Sequence, residues 1–553
     1  MSVEKLIVDH METWTSALQT RSTAGRGSSG KIDLYGIKKL RELILELAVR
    51  GKLVPQDPND EPASDLLKRI AAEKAELVKQ GKIKKQKPLP EISEEEKPFE
   101  LPEGWEWVHL PDIYCSISES SRKIKSSEIL PEGKYPVIEQ SQEFISGYCN
   151  NECLLIKLNN PVIVFGDHTR NIKFIDFDFV VGADGVKILS PILICERFFF
   201  WQLRSFKLDV RGYARHFKVL NSCLFALPPI AEQERIVEKV SSLMSLCDQL
   251  EQQSLTSLDA HQQLVETLLG TLTDSQNTAE LAENWARISE HFDTLFTTEA
   301  SVDALKQTIL QLAVMGKLVP QDPNDEPASE LLKRIAQEKA QLVKEGKIKK
   351  QKPLPPISDE EKPFELPEGW EWCRIGNIVN IKSELVSPKD YLNLYQVAPD
   401  IIEKGTGRVI SKRTVKESGV KGPNSRFYKG QIVYSKIRPS LSKVFLAEYN
   451  GLCSADMYPL DCYINPNYLL KYILSIPFLM QVKKAEIRIK MPKLNSDSFY
   501  NIIVAIPPYN EQQAIFDKIN SIEAVCNGLI SYIGIYHKTQ LHLADALTDA
   551  AIN

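Results

Sequence analysis

The stretch Gly51–Ser64, GKLVPQDPNDEPAS, occurs a second time without change at Gly316–Ser329. It is the centre of a longer duplication, in which residues 40–107 match residues 305–372 at 57 of 68 positions. Stacked-repeat folds need at least about three repeats to bury a continuous core, so two copies do not make a solenoid. The sequence therefore predicts a duplicated two-part unit.

A second duplicated element follows each copy of this frame. Residues 227–233 read LPPIAEQ and residues 506–512 read IPPYNEQ, whereas the intervening blocks, 108–226 and 373–505, share very little sequence. The order along the chain is frame, variable block, frame, variable block. This order predicts an internal pseudo-two-fold duplication.

A long helix is predicted after each double proline. Apolar residues recur there alternately every three and four positions, from Ile236 to Leu268 and from Ile515 to Leu547. This is the 3.5-residue period of a coiled-coil seam. Packed antiparallel, the two helices would form a rigid spacer of roughly 50–60 Å at 1.5 Å per residue.

The variable blocks have the pattern of mixed α/β domains. Short β-branched and aromatic runs at Val162–Phe165, Ile172–Phe177 and Gln431–Tyr434 predict strands, and Tyr468–Leu474 predicts a helix. We therefore expect an α+β protein with two mixed α/β domains, separated by two long antiparallel coiled-coil helices.

This plan divides the chain into seven segments. They are an N-terminal segment with a flexible Gly/Ser loop (1–39), a first helical frame and connector (40–104), a first variable domain (105–228), a central long helix and linker (229–304), a second frame and connector (305–369), a second variable domain (370–507) and a distal long helix (508–553).

Composition excludes several classes of protein. The chain has 553 residues, of which 43% are hydrophobic, so it can bury sizeable cores and is not a disordered chain. No apolar run approaches the ~18 residues of a membrane span, and the start lacks a signal peptide. Ten cysteines are too dilute for a disulfide scaffold. We expect a cytoplasmic protein without a membrane partner.

Charge is distributed unevenly. The net charge is −5, yet residues 373–506 carry 20 Lys and Arg against 10 Asp and Glu, a net of +10. Residues 108–227 carry 14 against 13, so the remainder of the chain holds −16. A basic block in an acidic chain is typical of a module that binds a polyanion.

Catalytic motifs are missing from the sequence. The histidines form no HExxH, and there is no nucleophile elbow or paired-carboxylate motif. The stretch Gly25–Lys31, GRGSSGK, satisfies GxxxxGK, but a phosphate loop requires a preceding strand and a Ser or Thr after the lysine, whereas residues 20–24 are polar and Ile32 follows. We interpret it as a flexible loop, and we expect no catalytic or metal-binding residue.

Four basic clusters occupy matching places in the two blocks: 167–173 and 211–218 in the first, 434–443 and 488–495 in the second. DNA recognition needs lysines and arginines for phosphates and a few donors that reach base edges. A solvated surface is the alternative for any one cluster. The candidate DNA-binding residues are Arg170, Lys173, Arg211, Arg215, His216, Lys218, Lys436, Arg438, Ser440, Lys443, Arg488, Lys490 and Lys493.

The tryptophans of the repeated GWEW motif, Trp105 with Trp107 and Trp370 with Trp372, are a further candidate for base stacking. Their period-two spacing at the start of a strand favours structural packing instead.

The twofold order of frame, variable block, PPxxEQ motif and long helix resembles the specificity subunit of type I restriction–modification enzymes. The GKLVPQ frame and the loop Tyr434–Pro439, YSKIRP, are also similar to that family. The resemblance implies that each variable block is a target recognition domain, which reads one half of a bipartite, asymmetric sequence of double-stranded DNA. It implies that the repeated helices separate the two domains and bind two methylation subunits.

The resemblance also implies that the subunit is not an enzyme and has no cofactor of its own. The methylation subunits would use S-adenosylmethionine to methylate adenine N6, and restriction subunits would use ATP and Mg²⁺ to translocate and cleave DNA. The alternative is a coiled-coil adaptor that joins proteins without binding DNA, and the basic second block argues against it. A nucleotide-binding enzyme is the weaker alternative.

Overall fold

The structure is a computed structural model that describes residues 3–21, 31–85, 87–117, 123–182, 185–208, 215–485 and 492–552. The chain forms two compact units. One unit comprises the residues up to Ser257 together with those from Ile535 onward, and the other comprises Leu258–Gly534. Each unit contains one frame, one variable block and part of each long helix. This division does not resolve seven separate segments, so their boundaries stay a prediction.

The first unit begins with a helical segment and the first frame. Its elements are helices α1 (Val3–Asp9) and α2 (Met11–Ser16), the antiparallel strands β1 (Gln19–Arg21) and β2 (Lys31–Asp33), and helices α3 (Tyr35–Val49) and α4 (Ala63–Lys79). Most of the GxxxxGK motif lies outside the described residues.

The first variable block is built from strands and two short helices. They are β3 (Glu106–His109), β4 (Tyr114–Ile117), β5 (Tyr135–Ile138), β6 (Gly147–Cys149), β7 (Leu155–Ile156), β8 (Val162–Gly166), β9 (Ile172–Ile175), β10 (Phe179–Val181), β11 (Val186–Pro191), α5 (Glu196–Ser205), α6 (Phe217–Leu220) and β12 (Leu224–Leu227). The long helix α7 (Ile230–Asp274) follows.

The second unit repeats this order of frame and block. Its helices are α8 (Thr278–Glu290), α9 (Phe292–Leu295), α10 (Glu299–Val314), α11 (Ala328–Lys344), α12 (Ile375–Ile378), α13 (Val415–Ser418), α14 (Pro466–Ile473), α15 (Ile476–Ala485), α16 (Ser496–Tyr500) and the long α17 (Tyr509–Ile552). Its strands are β13 (Glu371–Arg374), β14 (Val379–Ile381), β15 (Glu384–Val386), β16 (Tyr395–Val397), β17 (Asn424–Phe427), β18 (Ile432–Ser435), β19 (Val444–Leu446), β20 (Gly451–Ser454), β21 (Met457–Cys462) and β22 (Ile503–Ile506).

The two variable blocks share most of their topology and differ at one strand of the second sheet, where β6 pairs with β5 but β15 pairs with β17. Each contains a four-stranded antiparallel sheet, ordered β4-β11-β8-β9 in the first block and β14-β21-β18-β19 in the second. Each contains a second sheet with one parallel pair, β5 with β10 and β16 with β20. Each also has a pair of strands from its two ends, β3 with β12 and β13 with β22. Blocks that share very little sequence are therefore duplicated in structure, which confirms the predicted α+β plan.

The unchanged GKLVPQ stretch forms a tight turn in each frame. Gly51 and Gly316 have φ angles of +67° and +71°, which disfavour residues with a Cβ atom. A Cβ atom at Gly51 would lie 2.3 Å from Cγ of Pro102, and one at Gly316 would lie 2.4 Å from Cγ of Pro367. Close packing against the connector explains why both copies have glycine here.

The long helices bury the predicted seam along their N-terminal halves. The buried positions are Ile236, Val240, Leu243, Cys247 and Leu250 of α7, and Ile515, Ile519, Cys526 and Ile533 of α17. In the C-terminal halves the buried face moves by one residue: Leu264 is 50% exposed while Val265 is buried, and Leu543 is exposed while Ala544 is buried. A helix of 3.6 residues per turn drifts by ~20° per heptad from a strict 3.5 repeat, which accounts for the shift.

The described helices include none whose length and hydropathy would suit a membrane crossing. All ten cysteines are free thiols.

Candidate nucleic-acid interface

The PPxxEQ motif anchors each block to its long helix through a buried glutamate. Trp105 donates from Nε1 to Oε2 of Glu232 at 2.9 Å, and Gln56 donates from Nε2 to Oε1 at 3.1 Å. Trp370 and Glu511 repeat the first bond at the same distance. Burial raises the pKa of both glutamates. The first tryptophan of each GWEW motif is therefore structural, as its spacing favoured.

The following glutamine of the motif holds a second point of each block. The side-chain oxygen of Gln233 accepts from the backbone N–H of Cys195 at 3.0 Å, and that of Gln512 accepts from the backbone N–H of Asn465 at 2.9 Å. Both acceptors are buried. Glutamate and glutamine together fix the block to the first turn of the helix that follows it.

The two basic clusters of the second block lie side by side. The backbone N–H of Leu494 donates to the carbonyl of Lys436 at 2.9 Å, and the N–H of Arg438 donates to the carbonyl of Pro492 at 2.8 Å. The segments 436–438 and 492–494 therefore pair at the end of β18. Two segments that lie more than 50 residues apart in sequence therefore form one surface.

Lys436 and Lys493 share a carboxylate in this surface. Their Nζ atoms lie 3.7 Å and 3.1 Å from Oδ1 of Asp456. Burial, and next the charge of Lys493, lower the pKa of Lys436, which also donates to the carbonyl of Ala455 at 2.7 Å. Lys493 is the more exposed of the two lysines.

Arg438 stands at the exposed tip of the loop after β18. Its φ of 47° places it in the left-handed region of backbone conformation. This conformation is energetically unfavourable for residues other than glycine and is found mostly where the surrounding structure requires it. Among the described residues its guanidinium has no hydrogen-bond or ion-pair partner. A strained backbone thus presents an exposed cation beside two lysines.

The first block has the same backbone arrangement with different chemistry. The N–H of His216 donates to the carbonyl of Asp167 at 2.8 Å, and this bond is the counterpart of the one from Leu494 to Lys436. The N–H of Asp167 donates to the carbonyl of Gly185, just as the N–H of Lys436 donates to the carbonyl of Asp456. Asp167 therefore takes the position of Lys436. Its carboxylate is buried and accepts from the N–H of Phe217 at 2.8 Å.

Two candidates of the first block are enclosed by the fold. Lys173 is 6% exposed, and its ammonium donates to the backbone carbonyls of Glu139, Glu143 and Phe144. His216 is 1% exposed, and its Nδ1 lies 3.0 Å from the carbonyl of Asp167. Because both side chains are buried, this arrangement does not present them to a ligand, and their contact with DNA stays a prediction.

The other candidates differ in their surroundings. Arg170 has a φ of 63° and donates to the carbonyl of Leu208 at 2.9 Å, while Arg215 and Lys218 are exposed. Ser440 is half-buried, and Lys443 donates to the carbonyl of Pro399. Arg211, Arg488 and Lys490 lie outside the described residues.

One element of the site had not been predicted from the sequence. This element is the loop after β5 in the first block, which begins at Glu139, and the loop after β16 in the second block, which begins at Ala398. Each is hydrogen-bonded to the basic loop: Asn171 donates from Nδ2 to the carbonyl of Gln140 at 2.9 Å, and Lys443 donates from Nζ to the carbonyl of Pro399. In the second block, the basic residues between positions 404 and 413 could have indicated from the sequence that this loop belongs to the site.

Comparison with known proteins identifies the family. The model of the type I restriction modification DNA specificity domain matches residues 102–260 and 367–533. The EcoAI specificity subunit of Escherichia coli type I restriction enzyme is 51% identical, and the EcoEI specificity subunit of the same organism is 49% identical; each match covers all of both chains.

Among solved structures, the HsdS subunit from Thermoanaerobacter tengcongensis matches 83% of this chain and 98% of its own, at 16% identity and a TM-score of 0.37. The domain model matches more than half of the chain, in two copies, and the curated relatives match it throughout. The chain therefore belongs to the specificity subunits of type I restriction–modification enzymes and carries two DNA specificity domains.

Proposed function

We propose that each recognition domain binds one half of a split, asymmetric target in duplex DNA through the loops at the end of β8 or β18, and that the chain performs no chemistry of its own. The observation that carries the proposal is the pairing of two basic segments, 436–438 and 492–494, at this end of the second domain. In the first domain the N–H of His216 donates to the carbonyl of Asp167 at 2.8 Å, at the position of the bond from Leu494 to Lys436.

Within this surface the basic residues have different roles. Lysine acts as a point charge toward phosphates, whereas arginine binds two acceptors of guanine, O6 and N7, at once. Lys493, which is exposed, suits a phosphate contact. Arg438, which is exposed at a fixed tip, suits a base contact. In the first domain Arg170, Arg215 and Lys218 are the corresponding cations.

The partners follow from the family. The curated relatives are named as specificity subunits of restriction enzymes, which supports two methylation subunits and restriction subunits as partners. S-adenosylmethionine would serve the methylation subunits, and ATP with Mg²⁺ the restriction subunits. This division of labour agrees with the lack of catalytic motifs in the sequence.

The test is a salt titration of DNA binding by the chain with its methylation subunits, with target sequences selected from a random duplex library. A protein that neutralises phosphates loses affinity steeply as salt rises. We expect such a slope, a split consensus, and a loss of affinity in Lys493→Ala. The control is Lys429→Ala, an exposed lysine before β18, at the opposite end of that strand from Arg438.

Two outcomes would contradict the proposal. Binding that shows no salt dependence and no consensus would favour the adaptor. Methylation or cleavage by the purified chain alone, with S-adenosylmethionine, ATP and Mg²⁺ supplied, would show that the chain is itself an enzyme.

A further inference from the structure

We propose that the loop of residues 139–146 in the first domain is a second base-reading segment, with Gln142 and Phe144 as its base contacts and Lys173 as the residue that positions it. The inference rests on the proposed function, because it names a further specificity determinant at the same end of the domain.

The loop is held against the predicted DNA-binding segment. Gln140 is the point of attachment: its carbonyl accepts from Asn171 Nδ2 at 2.9 Å and from the hydroxyl of Thr169, and its side-chain oxygen accepts from the N–H of His168 at 3.2 Å. These three donors belong to the loop that carries Arg170. The two loops therefore form one surface.

A buried ammonium sets the shape of the loop. Lys173, on β9, donates to the carbonyls of Glu139 at 2.8 Å and Phe144 at 3.4 Å, and also to that of Glu143. Burial lowers the pKa of Lys173. One cation thus gathers three backbone oxygens from the two ends of a short loop. Such a contact fixes the residues between them, which include Gln142.

The loop presents groups suited to base edges. Gln142 is exposed, and Phe144 is 50% exposed, which is a large exposed area for an aromatic side chain on a loop. Both line an open cleft of about 540 Å³ together with Arg170, Asn171 and Arg204. The amide of glutamine can pair with N6 and N7 of adenine, and an aromatic ring can contact the methyl group of thymine.

The charge of the loop argues against phosphate binding. Residues 139–146 contain two glutamates and neither lysine nor arginine. A segment of this composition repels the backbone, so its place beside Arg170 suits contact with bases in the groove. Glutamate itself accepts from N4 of cytosine.

The second domain has the same tether. Lys443 takes the position of Asn171, because the carbonyl of Lys443 accepts from the N–H of Ser435 as the carbonyl of Asn171 accepts from that of Gly166. The ammonium of Lys443 donates to the carbonyl of Pro399, and the side-chain amide of Asn171 likewise donates to the carbonyl of Gln140. A tether retained between domains of very different sequence supports a role in the common activity.

The experiment compares Gln142→Ala, Phe144→Ala and Lys173→Met in the complex with the methylation subunits, by selection from a random duplex library and by salt titration. We expect Gln142→Ala and Phe144→Ala each to lose about five- to 150-fold discrimination at a position of the first half-site. Lys173→Met should lose discrimination at the same positions without a change in salt slope. The second half-site should stay the same in all three.

The control is Lys157→Met, an exposed lysine that precedes β8, and it should leave both half-sites unchanged. A salt slope reduced by about one in Lys173→Met, with uniform weakening across sequences, would make Lys173 a phosphate contact and overturn its positioning role. If Gln142→Ala and Phe144→Ala both discriminate between sequences like the wild type, the proposal that this loop contacts bases is wrong. A split consensus for the wild type would in that case still support the proposed function. If the wild type selects no consensus sequence, both the proposed function and the role of this loop are wrong.

Discussion

Trp370 donates its indole hydrogen to the buried carboxylate of Glu511, which follows it by 141 residues, and thereby joins the start of a recognition domain to the helix that leaves it. Trp105 and Glu232 make the same contact in the other unit. Both ends of each domain meet at this bond, which helps to attach the domain to the helix.

Trp370→Phe keeps an aromatic ring but removes the donor. A buried acceptor that loses its partner costs about 1–3 kcal/mol, so we expect faster hydrogen exchange in β13 and β22. The control is Trp372→Phe, which makes the same change at the second tryptophan of the motif, where the ring packs against Phe364. Equal effects of the two variants would show that the bond to Glu511 contributes nothing beyond ring packing.

Arg438→Ala should relax the specificity of the second domain. Loss of a bidentate base contact costs about 1–3 kcal/mol of discrimination, so we expect one position of the second half-site to become degenerate. Lys493→Ala should instead weaken binding to all sequences and lower the salt slope by about one. Library selection and salt titration separate the two effects. An Arg438→Ala variant that discriminates like the parent would refute the assignment of this residue to base reading.

Lys339 should make the stability of the second unit depend on pH. Its ammonium, on α11, donates to the carbonyls of Gly376 at 2.6 Å and Val379 at 3.0 Å, and burial lowers its pKa to about 8. The unfolded value is about 10.4, so between these pH values the folded state binds fewer protons and the free energy of unfolding rises with pH.

Relative to Lys339→Met, we expect the wild type to gain on the order of 1–3 kcal/mol between pH 8 and pH 10, since partial exposure of the ammonium screens its charge. Urea unfolding of both proteins at several pH values measures this difference. Lys344→Met, at an exposed lysine of the same helix, is the control. Parallel curves for the wild type and Lys339→Met would contradict the expectation.

The long helices should act as a ruler for the split target. Helix α7 is 45 residues long, about 67 Å at 1.5 Å per residue. Four residues inserted between Ser254 and Leu264, matched by four between Ile533 and Leu543 of α17, add about 6 Å to each helix and approximately keep its face. At about 3.4 Å per base pair, the unread gap should lengthen by one or two base pairs while both half-sites stay the same.

Sequencing of methylated adenines in a host that carries the lengthened protein measures the gap. Circular dichroism shows whether the inserted helices are intact. An unaltered gap with intact helices would leave the helices only as a docking surface for the methylation subunits.

The duplicated frame and the PPxxEQ motif were enough to predict two equivalent units, because repeated sequence specifies repeated local structure. The 3.5-residue period likewise predicted α7 and α17. The position of the buried face could not be predicted along the whole helix: Leu264 and Leu543 are exposed because each real helix drifts from the strict heptad.

The sequence by itself determined which segments are basic and how they match between the blocks. Only the tertiary structure decided which of those charges face solvent. Arg438 is exposed, whereas the ammonium of Lys173 is enclosed by carbonyls from residues about 30 positions earlier in the chain. The physical reason is that a charged side chain can be solvated by water, paired with a nucleic acid or, at a desolvation cost, bound by buried carbonyl oxygens, and the folding of distant loops determines which of these it meets.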